Sequence, residues 1–195
     1  DAAPWTIGRL LQWTTEYLQS HGSDSPRLDA EVLLAHALAR PRIALYTAFD
    51  EVPLDDARAA FRDFVRHRAE GVPVAYLVGY REFYSLRFQV TPDVLIPRPE
   101  TEHLVIALLD LARGRADASA LEIADVGTGS GIIAVCAAKH LPTARVLAID
   151  LSKAALAVAC KNAETHVVAD RLEFAEGDLF DGVPEGPRFD IIASN

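Results

Sequence analysis

Apolar residues recur at helical spacing through the first 75 or so residues. Ile7, Leu10, Leu11, Thr14 and Leu18 fall on one stripe, and His21-Gly22 ends that run. Ser25-Pro26 predicts a second helix start, because serine can cap and proline at the first helical position loses no needed hydrogen bond. Leu28, Val32, Leu33, Ala35 and His36 follow on its expected inner face. A third helix is predicted from Pro53 to Glu70, with Ala57, Ala60, Phe61, Phe64 and Val65 inward and Gly71 as its stop. Arg58, Arg62, Arg66 and Arg68 lie largely outward on it, as a solvated face or a partner-binding stripe. Short helices with short connections describe a small all-α bundle.

The pattern then changes. Glu82 to Val90 alternates apolar and polar residues and is rich in aromatics, which predicts a β-hairpin. Leu95-Ile96-Pro97-Arg98-Pro99-Glu100 reads as an extended linker, since each proline disfavours helix in the residue before it. Helix returns from Thr101 to Arg113. Strands are then predicted at 121–126, 145–149, 172–175 and 189–193, with helices at 132–140 and 153–165. This alternation predicts a mainly parallel, Rossmann-like α/β sheet. The expected division is a helical domain over 1–78, a hairpin and proline-rich linker over 79–98, and an α/β domain over 99–195.

Composition narrows the function. The 195 residues carry 19 Lys and Arg against 28 Asp and Glu, a net charge of −9, which argues against a basic nucleic-acid surface. No apolar run approaches the ~18 residues of a membrane span, and no leader segment is visible. Cys136 and Cys160 have no metal or redox spacing, which predicts a reducing, cytoplasmic setting and no metal. The absence of methionine and the stop at Asn195 straight after a strand predict a chain whose ends are not those of the gene product.

The most informative segment is Asp125-Val126-Gly127-Thr128-Gly129-Ser130-Gly131, between a strand and a helix. Such a turn in a doubly wound sheet takes a nucleotide-like ligand, and its glycines permit a tight turn and close approach. A nicotinamide fingerprint needs a third glycine where this chain has Ile132, and the Gly-Lys-Ser/Thr of a phosphate loop is absent. Asp150, roughly 20 residues on at a strand end, can accept ribose hydroxyls; by itself it does not separate nicotinamide from S-adenosylmethionine. Asp178 can bond an adenine amino group, with Leu179 packed on the ring. The alternative for each is an ordinary turn or cap, and for Asp178-Leu179 taken alone the plain turn is the stronger reading.

The glycine turn resembles motif I of the class I S-adenosylmethionine-dependent methyltransferases. Ile96-Pro97-Arg98-Pro99-Glu100-Thr101-Glu102, preceded by Phe83-Tyr84 and Phe88-Gln89-Val90, is similar to the interdomain segment of the release-factor glutamine methyltransferases (the HemK/PrmC family). Asp125 to Gly131, Asp150, Asp178-Leu179 and Ser194-Asn195 follow in that family's order, so the resemblance covers essentially the whole chain. It implies S-adenosyl-L-methionine held by Asp125, Gly127, Thr128, Gly129, Ser130, Gly131, Asp150, Asp178 and Leu179. It implies methyl transfer to the side-chain amide nitrogen of the glutamine in the Gly-Gly-Gln motif of a class 1 peptide-chain release factor.

By the same resemblance, Asn195 opens an Asn-Pro-Pro-Tyr motif and binds the substrate amide as the catalytic residue. The Pro-Pro-Tyr is not present. The family's sheet has seven strands and four are accounted for here, so the expectation is a truncated form with little or no transfer. Three alternatives stay open: an amino-methyltransferase acting on adenine or cytosine in nucleic acid, a nicotinamide oxidoreductase and a non-catalytic binding module.

Overall fold

A computed structural model describes residues 4–115, 120–181, 183, 186 and 189–195. The chain divides into two compact units, Asp1–Val78 and Gly79–Asn195.

The first unit is helical: α1 (Ile7–Ser20), α2 (Pro26–Ala37), α3 (Ile43–Thr47), α4 (Asp55–Ala69) and α5 (Val74–Val78). The Thr6 hydroxyl caps α1 by accepting from Arg9 N at 3.3 Å, and the predicted stripe from Ile7 to Leu18 is buried. In α2 the expected face is partly wrong. Leu28 and His36 are exposed, while Asp29, Ala30, Glu31, Leu33, Leu34 and Ala35 are buried. Ser25 makes no side-chain cap; proline at the first position starts the helix without one. α2 packs against α1, α3, α4 and α5, so its buried face is wider than a single apolar stripe and takes in two acids.

Both acids are satisfied there. Asp29 Oδ2 accepts from Ser23 Oγ and Arg68 Nε, each at 2.7 Å. Glu31 Oε1 accepts from Arg27 Nε at 2.6 Å and from the Tyr46 hydroxyl at 2.5 Å, with Arg42 at 3.5 Å from Oε2. Burial works to raise the Glu31 carboxyl, but these bonds and the charges of Arg27 and Arg42 outweigh it and hold the group below its usual range. The arginine stripe of α4 is therefore two residues shorter than expected, since Arg58 is half-buried as well. Arg68 turns inward to Asp29, whereas Arg62 and Arg66 stay exposed. Ala60, expected inside, is also exposed; Phe61 and Val65 carry the buried face.

The second unit opens with the hairpin β1 (Tyr80–Phe83) and β2 (Leu86–Gln89), paired antiparallel with Phe83 opposite Leu86. Tyr84 and Ser85 form its two-residue turn at φ 50° and 59°, the left-handed backbone that tight hairpins need. An extended proline-rich stretch leads to α6 (Thr101–Arg113). Then follow β3 (Glu122–Val126), α7 (Ile132–His140), β4 (Arg145–Asp150), α8 (Lys153–Thr165), β5 (Leu172–Glu176) and β6 (Ile191–Ser194).

The four later strands form one parallel sheet in the order β5-β4-β3-β6. Ile123, Val146, Ala148 and Ala193 on one face meet α6, α7, α8 and the hairpin phenylalanines in a single core. Ile132 to Ala138 are all buried, as expected for a helix that is apolar all round and enclosed by neighbours. Cys136 lies within it, and burial pushes its thiol up to about 12, so it is an unreactive apolar filler. Cys160 is half-exposed on α8. On the opposite sheet face, Leu147, Ala175, Val183 and Phe189 line a groove away from the glycine turn.

Candidate cofactor site at the sheet switch point

From β3 the chain winds outward through β4 to β5, then returns to the far side of β3 as β6. The crevice beyond the carboxyl ends of β3 and β6 is thus the topological switch point, where open α/β sheets bind ligands. Val126 pairs with Ser194 in this register. The next residue on each strand is therefore Gly127 on one side and Asn195 on the other. The glycine turn and the terminal asparagine meet across two adjacent strand ends.

The turn is built by its own backbone. Gly127 N and Thr128 N both donate to Ile149 O at 2.9 Å, and Gly131 N donates to Thr128 O at 2.8 Å. Gly127, Gly129 and Gly131 hold φ of 76°, 54° and 80°, the left-handed region that other residues avoid. Gly131 has a second requirement, since a Cβ there would lie 3.0 Å from the Ala159 Cβ on α8. Gly127 and Gly129 instead face open space.

Asp125 is fully buried beneath this turn. Its Oδ2 accepts from Thr128 Oγ1 at 2.6 Å and from Ala134 N at 3.1 Å, so it joins the turn to the first turn of α7. Burial pushes its carboxyl up to about 6; the two hydrogen bonds oppose this and the charge of Asp150 adds to it. Thr128 and Ser130 are buried as well. The side chains of Asp125, Thr128 and Ser130 therefore shape the turn from below, and its open side is glycine backbone.

Asp150, at the end of β4, is half-exposed. Its oxygens accept from Gly129 N at 2.8 Å and Ser152 N at 2.9 Å. A carboxylate has about four acceptor positions, so two remain for a ligand's hydroxyls. Gly177 N donates to Asp150 O at 3.1 Å, which brings the end of β5 alongside. Asp178 and Leu179 follow there, both exposed, with Leu179 at φ 54°. Open space over two glycines, a carboxylate beside it and an exposed apolar side chain next in line fit an adenosine-bearing cofactor.

Asn195 lies at the other wall. Its Nδ2 donates to Thr101 Oγ1 at 2.9 Å, and Thr101 is buried at the start of α6. Glu102 accepts from Tyr84 N at 2.9 Å and pins the hairpin turn. Its neighbour Glu100 is exposed, with the His103 ring against its carbonyl. Thr101 and Glu102 both fall inside the proline-rich motif, whose residues thus hold Asn195 and the hairpin.

Comparison with known proteins decides the family. The PrmC N-terminal domain family model matches residues 9–79, and that of ribosomal protein L11 methyltransferase (PrmA) matches residues 99–195. The release factor glutamine methyltransferase of Rhodopirellula baltica is 54% identical over 98% of this chain and 65% of its own length. That of Chlorobaculum tepidum is 41% identical over 98% of this chain and 67% of its own. The chain belongs to the release factor glutamine methyltransferase family.

This chain spans 65% of the length of the first of those methyltransferases. A ribosomal protein L11 methylase from Lactobacillus delbrueckii subsp. bulgaricus is 28% identical, covering 59% of this chain and 56% of its own, with a TM-score of 0.44. The expected architecture, a helical amino-terminal region followed by a class I methyltransferase sheet, is the one observed. Among the described residues no helix is long and apolar enough to cross a membrane.

Proposed function

We propose that the crevice at the switch point binds S-adenosyl-L-methionine and that the whole protein methylates the glutamine amide in the Gly-Gly-Gln motif of a class 1 release factor. One observation carries the reading: Asn195 stands beside the glycine turn, because Ser194 and Val126 are register partners. Asp150 would hold the ribose hydroxyls, the backbone of Gly127 to Gly131 the rest of the cofactor's polar chain, and Asp178 with Leu179 its adenine.

The cofactor supplies a methyl group already activated on a sulfonium. The protein's task is to place a weak nucleophile, because an amide nitrogen delocalises its lone pair into the carbonyl. Asn195 Oδ1 accepts an N–H of the substrate amide, which fixes the nitrogen's orientation. Thr101 holds the other end of the Asn195 side chain and limits its rotation. We place the reaction in the cytoplasm; the free thiols of Cys136 and Cys160 fit a reducing compartment.

The test is transfer of labelled methyl from S-adenosylmethionine to a purified class 1 release factor, to its Gln→Ala variant in the Gly-Gly-Gln motif, and to DNA or RNA. Label in the unmodified factor alone supports the reading. Label in nucleic acid replaces it with a base amino-methyltransferase, and label in neither rejects it. Asn195→Ala is expected to slow transfer by about 100-fold, the scale for removing one positioned polar group.

A further inference from the structure

One buried polar side chain beneath the crevice hydrogen-bonds the backbone of two separate segments. Asn162, on α8, is 1% exposed. Its Oδ1 accepts from Gln89 N at 2.7 Å, and its Nδ2 donates to Gln89 O at 3.0 Å and to Ser130 O at 2.8 Å. Toward β2 the amide behaves as a neighbouring strand would, giving one donor and one acceptor to the same residue. Its second N–H closes onto the glycine turn.

The Ser130 carbonyl is a sensitive place to bind. It belongs to the peptide plane between Ser130 and Gly131, and glycines on both sides of Ser130 leave the local torsions soft. Fixing that carbonyl orients the Gly131 N–H, which donates to Thr128 O. α8 already presses on the turn where Ala159 meets Gly131. The hairpin is held independently at its turn by Glu102.

We propose that Asn162 is a positioning residue for the glycine turn: it locks the Ser130 carbonyl and the end of β2 into one hydrogen-bonded unit, and ligand affinity in the crevice depends on it. Only a side-chain amide of this length serves both partners. Aspartate keeps the acceptor and loses both donors, so its carboxylate would face two carbonyl oxygens. The inference rests on the cofactor reading above, and a readout that needs no ligand separates the two.

The experiment is calorimetric titration with S-adenosylhomocysteine of wild type, Asn162→Ala, Asn162→Asp and Val146→Ala, alongside amide exchange at residues 129–131. Val146 is buried at the far end of β4, so its truncation lowers the Tm without touching the turn. Asn162→Ala is expected to weaken binding about 10-fold or more, and Val146→Ala by less than about twofold, at comparable Tm loss. Asn162→Asp, should the alanine variant not fold, is expected to bind closer to wild type at about pH 5.5 than at about pH 8.5, because the protonated acid regains one donor.

Equal weakening by Asn162→Ala and Val146→Ala, or a pH-independent Asn162→Asp defect, overturns the proposal. Should wild type not bind, the cofactor reading fails, and exchange decides the positioning role. Faster exchange of the Gly131 N–H in Asn162→Ala than in Val146→Ala upholds it; equal rates reject it.

Discussion

Asp125 gives the site its clearest dependence on pH. One carboxylate oxygen serves Thr128 and Ala134, and the other has no hydrogen-bond partner among the described residues. The folded group takes its proton at about pH 6, against 3.8 as the ordinary value. Its stabilising contribution is therefore complete below the lower value and lost as pH rises through the higher one. The loss is about 3 kcal/mol. In urea unfolding, the stability difference between wild type and Asp125→Asn should move by that order in the variant's favour between pH 4 and pH 7. A difference that does not change with pH contradicts the buried-acid account. Two glycines offer a second contrast. Gly131→Ala meets both a left-handed φ and the Ala159 side chain, and should cost about 2–4 kcal/mol. Gly127→Ala has open space and should cost only about 1–2 kcal/mol, measured by the same unfolding curves. The glycines and Asp125 were legible in the sequence because a motif marks them. Asn162 was not, since a polar residue on a helix looks like any solvated one. What distinguishes Asn162 is a backbone partner 73 residues away.

Among elements, α2 shows where pattern reading fails and why. A single apolar stripe does not describe a helix enclosed by four others, and an acid buried with its own arginine does not register as inward-facing. The consequence is measurable on α4. Arg68→Ala removes a donor from a nearly buried carboxylate and should destabilise the first unit by about 1–3 kcal/mol. Arg66→Ala breaks only an exposed pair with Asp63 and should change stability by less than about 0.5 kcal/mol. Equal effects in thermal unfolding would return Arg68 to the solvated stripe. The hairpin was legible from its alternation, but its turn was not, because Tyr84-Ser85 lacks the usual Asn-Gly signature. Ser85 is exposed at φ 59°, so Ser85→Gly should raise stability by about 0.5–1 kcal/mol, read as a higher Tm. A lowered Tm would mean that the serine side chain has a role in the turn.

At the scale of the molecule, strand-helix alternation predicted a parallel sheet, yet no periodicity reveals that β6 returns to the far side of β3. That crossing creates the crevice and brings Asn195 beside Gly127, two residues 68 positions apart in the chain. The linear motif order of the family was readable, but the adjacency that gives it chemical meaning came from topology. A net charge of −9 suits a protein substrate better than a nucleic acid, in line with the family assignment. Methyl transfer at this site requires that the crevice hold S-adenosylmethionine. Calorimetric titration of this chain and its Asp150→Ala variant with S-adenosylhomocysteine, with NAD as the competing ligand, tests that most directly. The account predicts one site in wild type, binding weakened about 10-fold or more in the variant, and no heat from NAD. Absence of binding, equal affinity in both proteins or preference for NAD would contradict it.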